Sequence, residues 1–137
     1  MKIVGLVIGA MVAMFVLWMG FSYVWWQSNH KEVMQAVDQA VIEGREIGRD
    51  ATDRECMTIY LEVMRDCKEM TCSIQNQVFL KSCLEHSERT ELCASVPSKD
   101  ELMTFAKWAA NTCLTYQVDN NHCAAGLQEV AFYCEPQ

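Results

Sequence analysis

The residues with the widest chemical repertoire are eight cysteines, at Cys56, Cys67, Cys72, Cys83, Cys93, Cys113, Cys123 and Cys134. A cysteine can act as a redox centre, a metal ligand or half of a disulfide. A thioredoxin-type centre needs Cys-x-x-Cys, which holds one thiol beside the other, and the chain has none. Zinc sites usually leave about two to four residues between paired cysteines. Only Cys67 and Cys72 come near that spacing. The other ligand types are His86 beside Glu85 and His122 beside Cys123, which read as ordinary helix or turn residues. Met57, Met64, Met70 and Met103 offer soft thioethers to copper, but at helical spacing they read as core or groove lining.

Catalytic motifs are missing as well. The chain contains no Gly-x-Ser-x-Gly, no His-Glu-x-x-His and no phosphate-binding glycine loop. The acid pairs Asp100 with Glu101 and Glu88 with Glu91 fall at capping or solvated helix positions. No catalytic, cofactor-binding or metal residue is assigned, and the chain is read as a non-enzyme. That leaves the cysteines as disulfides.

Their spacing says which elements must position them. Ten residues separate Cys56 from Cys67, and ten separate Cys72 from Cys83. The nested pairs Cys56–Cys83 and Cys67–Cys72 share one centre, between Glu69 and Met70. Eleven residues of α-helix turn through about 1100°, only about 20° past three full turns. Each ten-residue gap therefore puts both of its cysteines on one helix face. Two such helices joined by a tight turn make an antiparallel hairpin closed by two bridges. The first helix starts at a capping box, Thr52 with Glu55. Its expected apolar face is Cys56, Ile59, Tyr60, Val63, Cys67 and Met70. The second runs from about Ser73 to His86, with Ile74, Val78, Phe79, Leu80, Cys83 and Leu84 on its apolar side.

A second hairpin follows Pro97. Ser98 with Glu101 reads as a further capping box, and Leu102, Phe105, Ala106, Ala109, Cys113 and Tyr116 as an apolar stripe. After a turn of Asp and Asn character, a last helix carries Cys123, Leu127, Val130 and Cys134 on one face. Cys113–Cys123 closes this turn, and Cys93–Cys134 takes the remaining cysteines. Trp108, Tyr116, Phe132 and Tyr133 form a candidate partner surface, with Trp108 off the stripe.

The chain before the cysteines is of another kind. Residues 3–26 carry no charge. At about 1.5 Å per residue such a helix exceeds the roughly 30 Å of a hydrocarbon core. Trp18, Phe21, Tyr23, Trp25 and Trp26 cluster at its outer end, as an interfacial aromatic belt does. Residues 1–27 are therefore read as a retained transmembrane signal anchor. Gly5, Gly9 and Ala13 make a small-residue row suited to close packing on a second membrane helix.

Residues 28–51 are expected to form a separate juxtamembrane helix, capped by Asn29 with Glu32. Every fourth residue in Ala36, Ala40, Gly44 and Gly48 is small. Two glycines inside a helix cost about 1 kcal/mol each against alanine. Close helix contact would offset that cost.

The expected architecture is all-α: a transmembrane helix, then a disulfide-stapled bundle of four to five helices in two antiparallel hairpins. The disulfide-rich domain is placed at 52–137, with hairpins at 53–93 and 98–134. An even set of cysteines on one side of a span points to an oxidising compartment, with the C-terminal domain outside the cytoplasm. Periplasm and mitochondrial intermembrane space both satisfy this. The net charge of −7 disfavours nucleic acid and anionic head groups as partners.

The stretch Cys56 to Cys83 resembles the coiled-coil-helix-coiled-coil-helix proteins of the mitochondrial intermembrane space, which carry twin cysteine pairs on two antiparallel helices. Here both gaps are ten rather than nine. The resemblance implies an assembly factor or accessory subunit of a membrane complex. The leading expectation is thus a single-pass, exported interaction protein, docking through its small-residue helices onto a protein partner or another copy. The alternatives are a tethered or secreted inhibitor or ligand-binding module and, third, a redox or metal carrier.

Overall fold

The computed structural model describes residues 2–98, 100–119 and 122–135, the side chains of 2–8, 10 and 28–30 lying outside that description. The described residues are helical, with no strand among them beyond one isolated bridge. Helix α1 runs Lys2–Gly48, α2 Asp53–Asp66 and α3 Met70–His86. A 3₁₀ turn at Leu92–Ser95 precedes α4 at Leu102–Thr115, α5 at Cys123–Gly126 and α6 at Gln128–Cys134. The chain divides into two compact units, Met1–Gln35 and Ala36–Gln137.

In the first unit α1 does not restart at Asn29, where a separate juxtamembrane helix was expected. The side chains of residues 11–27 are exposed throughout. Among the described residues no helix is long and apolar enough to cross a membrane. The expected transmembrane helix is therefore not shown. Part of the apolar run on which it rests, Gly5 included, lies outside the described side chains.

The second unit holds the disulfides and begins earlier than residue 52, because residues 36–48 of α1 pack against α3. α2 starts where local chemistry dictates. Thr52 Oγ1 accepts from the Glu55 amide at 3.3 Å, and the Glu55 carboxylate accepts from the Thr52 amide at 2.7 Å. Beside this cap the chain makes a connection that no local pattern announces. The Asp53 amide donates to the Glu88 carbonyl, and the Glu88 amide to the Ala51 carbonyl, each at 3.0 Å. The fully buried Asp53 carboxylate accepts from the Thr90 amide at 3.0 Å, from the Thr90 hydroxyl, and from the Arg54 amide at 2.8 Å. A buried carboxylate is tolerated only with such partners. Here they pin the start of α2 to the segment leaving α3.

The buried faces differ in part from those expected. Leu61 and Met64 of α2 are fully buried, whereas Val63 is 45% exposed and Met70 and Ile74 are exposed too. α2 is covered by α3 and, at Tyr60, by Cys123 and Gly126, so its buried arc is wider than one stripe and excludes Val63. α3 begins at Met70, three residues before the expected Ser73, which shortens the turn after Cys67.

The second hairpin also departs from expectation. Ser98 and Glu101 form no capping box: α4 is preceded by Glu101 without a side-chain cap, and Ser98 Oγ accepts instead from the Asp100 amide at 3.3 Å. α4 buries Phe105, Ala109 and Cys113 but leaves Leu102 and Ala106 exposed. It ends in a Schellman motif. The Val118 amide reaches the Cys113 carbonyl at 2.9 Å, the Gln117 amide reaches Leu114 at 3.0 Å, and Gln117 takes a left-handed φ of 58°. The expected last helix is broken at Leu127 into α5 and α6. α5 packs on α4, whereas α6 packs on α3 and the 3₁₀ turn.

The Tyr60 hydroxyl donates to the Cys123 carbonyl at 2.9 Å, and a Cβ on Gly126 would lie 2.0 Å from that hydroxyl. Only glycine lets the chain pass over the tyrosine.

Candidate binding surfaces

All eight cysteines are consumed in bridges, and no free cysteine remains. The structure joins Cys56 to Cys83 and Cys67 to Cys72 within the α2–α3 hairpin. Cys113 joins Cys123 across the turn after α4, and Cys93 joins Cys134, tying the 3₁₀ turn to the end of α6. These are the same four pairs that the spacing prefers. Because α6 leaves α4, Cys134 meets the 3₁₀ turn and not the start of α4 near Leu102. Among the described residues no group of three His, Cys, Asp or Glu side chains is placed to hold a metal ion. His86 Nδ1 lies 2.8 Å from the Ser82 carbonyl within its own helix.

The small-residue row of α1 is where sequence and structure differ most in meaning. Ala36 is half-buried, and Ala40, Gly44 and Gly48 are buried. Their contact is inside the chain, with α3. A Cβ on Gly44 would lie 2.5 Å from the Phe79 carbonyl oxygen, and one on Gly48 2.5 Å from that of Cys83. The Ser82 hydroxyl donates to the Val41 carbonyl at 2.8 Å across the same seam. Gly44 and Gly48 are therefore occupied within the head, while Ala36 and Ala40 also edge a hollow on the other side of α1. Of the other row, Gly9 has nothing within 4 Å of a built Cβ and Ala13 is exposed, while Gly5 lies outside the described side chains.

The aromatic residues do not form one face. Trp108 is half-buried and stacks on Phe105, with ring centroids 5.6 Å apart at 37°. Both rings belong to α4, and Trp108 is partly packed against the core. Tyr116 is also partly buried, and its carbonyl accepts from Arg65 Nε at 3.3 Å. Phe132 and Tyr133, by contrast, line a cleft of about 460 Å³ with Lys81, Glu85, Arg89 and Glu129. Arg89 lies 4.6 Å over the Tyr133 ring and donates to its carbonyl at 2.8 Å. The buried Tyr133 hydroxyl has no hydrogen-bond partner among the described residues.

A larger concavity was not anticipated. Residues 36–51, the end of α1 with the loop after it, and the outer side of α2 enclose two adjoining hollows, of about 550 and 920 Å³, which share Ile47 and Ile59. The packing of Gly44 and Gly48 on α3 leaves Ile47 on the open side. Glu55, on its edge, is held ionised below the usual carboxylate range by its bonds to the Thr52 backbone and hydroxyl. In the core, burial pushes the Tyr60 phenol well above its ordinary value.

No protein family matches the chain, and comparison with curated proteins and with solved structures found no match. The likeness to the coiled-coil-helix-coiled-coil-helix proteins stays confined to the Cys56–Cys83 hairpin.

Proposed function

We propose that the chain is a single-pass, membrane-anchored interaction protein. Its helical head stands in an oxidising compartment, the periplasm or an equivalent such as the mitochondrial intermembrane space. Its role is that of an accessory or assembly subunit of a larger membrane complex.

One observation carries this reading. α1 continues unbroken through an apolar segment whose described side chains lie open, Leu17 at 73% and Phe21 at 72% exposure. Water does not favour such a surface; lipid or another membrane helix covers it. With residues 3–8 the charge-free run reaches spanning length. Trp18, Phe21, Trp25 and Trp26 group around one hollow at its outer end, where an aromatic belt would sit. The four bridges support the oxidising compartment. Function is then positional: the anchor fixes the depth, and the stapled head presents a rigid surface. Lateral docking falls to Gly9 and Ala13, since Gly44 and Gly48 are occupied within the head.

The test is crosslinking on intact membranes of the native host, purification through this chain and mass spectrometry of what is attached. The expected result is a membrane-embedded chain with a protein partner at a fixed ratio. A chain recovered from the soluble fraction, or alone after crosslinking, overturns the proposal.

A second reading, a tethered ligand-binding module, is favoured by the Tyr133 hydroxyl, partnerless among the described residues, beside the Lys81–Arg89 cleft. It requires that residues 36–137 keep full activity without residues 1–35. The cut must fall there, because removing residues 36–50 would strip the cover from α3.

A further inference from the structure

We infer that the groove between residues 36–51, the end of α1 with the loop after it, and the outer side of α2 is a docking site for a cationic amphipathic helix of a partner protein. This rests on the accessory-subunit reading and names the surface and the kind of partner.

The groove has the right floor. Ile47, Ile59 and Val63 lie along it with Ala36, Ala40 and Phe79 at one end. Ile47 is 40% exposed and Val63 45%. From Ala36 to Gly48 the α1 wall extends about 18 Å at 1.5 Å per residue. That accommodates about three turns of a second helix, whose apolar side chains at i, i+3, i+4 and i+7 meet the floor.

Charge selects the occupant. Glu43, Glu46, Asp50 and Glu55 line the groove, against a single cation, Arg54. A second copy of the chain would bring the same acidic rim and the same negative charge, and like charges across an interface oppose association. An anionic lipid surface meets the same repulsion. A helix with an apolar stripe flanked by Lys and Arg matches both floor and rim.

The site is also preformed. α2 is bridged twice to α3, and Gly44 and Gly48 seat α1 on α3. Little ordering is left to be done on binding, which conserves affinity.

The test uses the full chain in zwitterionic nanodiscs. The probe is a labelled 14-residue peptide with leucines on one face and lysines on both flanks, about four turns of helix. Its counterpart has glutamate for every lysine. Fluorescence anisotropy, corrected with empty nanodiscs, is the readout. The lysine peptide is expected to bind at least tenfold tighter than the glutamate peptide. Val63→Arg and the double variant Glu46→Lys, Asp50→Lys are each expected to weaken it at least tenfold. These positions are on the surface, and circular dichroism together with four closed bridges verifies their folding. Equal binding of both peptides, no binding, or binding indifferent to Val63→Arg overturns the inference. Dimerisation of the chain that Val63→Arg abolishes overturns it as well, by assigning the groove to a second copy. If crosslinking yields a partner while the peptides fail, only the groove assignment falls; if crosslinking yields none, the accessory-subunit reading falls with it.

Discussion

Tyr60 reaches from α2 to the carbonyl of Cys123 and decides how the end of the chain is built. The carbonyl also accepts from the Leu127 amide, so losing the hydroxyl leaves it one partner. Tyr60→Phe is therefore expected to cost only about 1 kcal/mol, near the mean for a hydrogen bond. Gly126→Ala is expected to cost more, about 3 kcal/mol or above, because its Cβ would sit inside the phenol. In the double variant Tyr60→Phe, Gly126→Ala the two effects should not add; denaturant unfolding of the four proteins measures the difference. The same phenol sets an alkaline limit. Burial raises its pKa in the folded state, so its contribution is fully present below the unfolded value of about 10 and is lost as pH rises above it. Unfolding midpoints followed from pH 8 to 11 should fall in the parent and fall less in Tyr60→Phe. Gln117 offers a contrasting case. It holds a left-handed φ without being glycine, at the C′ position of a Schellman motif. Gln117→Gly is expected to raise stability by about 1 kcal/mol, read as a higher melting temperature. Neither Tyr60 nor Gln117 was legible as a determinant. Each owes its role to chain geometry far from it or to a backbone angle, and periodicity reports neither.

At the scale of elements, glycine changes meaning along a single helix. Gly44 and Gly48 touch backbone oxygen of α3, and Gly9 touches nothing. Alanine in an open helix gains about 1 kcal/mol over glycine. Against the carbonyls of Phe79 and Cys83 overpacking costs about 1–3 kcal/mol and outweighs that gain. Gly44→Ala and Gly48→Ala should each lower the unfolding midpoint of the head, while Gly9→Ala should leave it unchanged. The four-residue row in the sequence told correctly that a helix must approach closely. It did not tell which helix, because spacing specifies a surface and not its partner; α3 took the place expected of another protein. Local signals fared better. The Thr52–Glu55 box is self-contained, and the structure has it. The nested cysteine pairing of the α2–α3 hairpin followed from spacing, although Cys67 lies just past the end of α2 in extended backbone. The Ser98–Glu101 pair has the same letters but no helix turn to cap, since α4 begins only at Leu102. The close pass of Gly126 over Tyr60 was hidden because the two belong to different elements.

For the whole molecule, stabilisation and function separate cleanly. Four bridges, the buried Asp53 and the α1–α3 seam hold the head, and none of these groups is left over for chemistry. What remains open is surface: an apolar stretch of α1, an acid-rimmed groove and the cleft at Tyr133. Their locations followed from packing, so the sequence could suggest a binding protein without indicating where it binds. The net charge of −7 opposes association between copies electrostatically. The most direct measurement of the accessory-subunit reading is the mass of the particle released from native membranes by mild detergent, by light scattering after size exclusion. The expected result is a particle heavier than one chain plus its micelle, containing a second protein at constant ratio across the peak. A monodisperse single chain, with no companion, would contradict it.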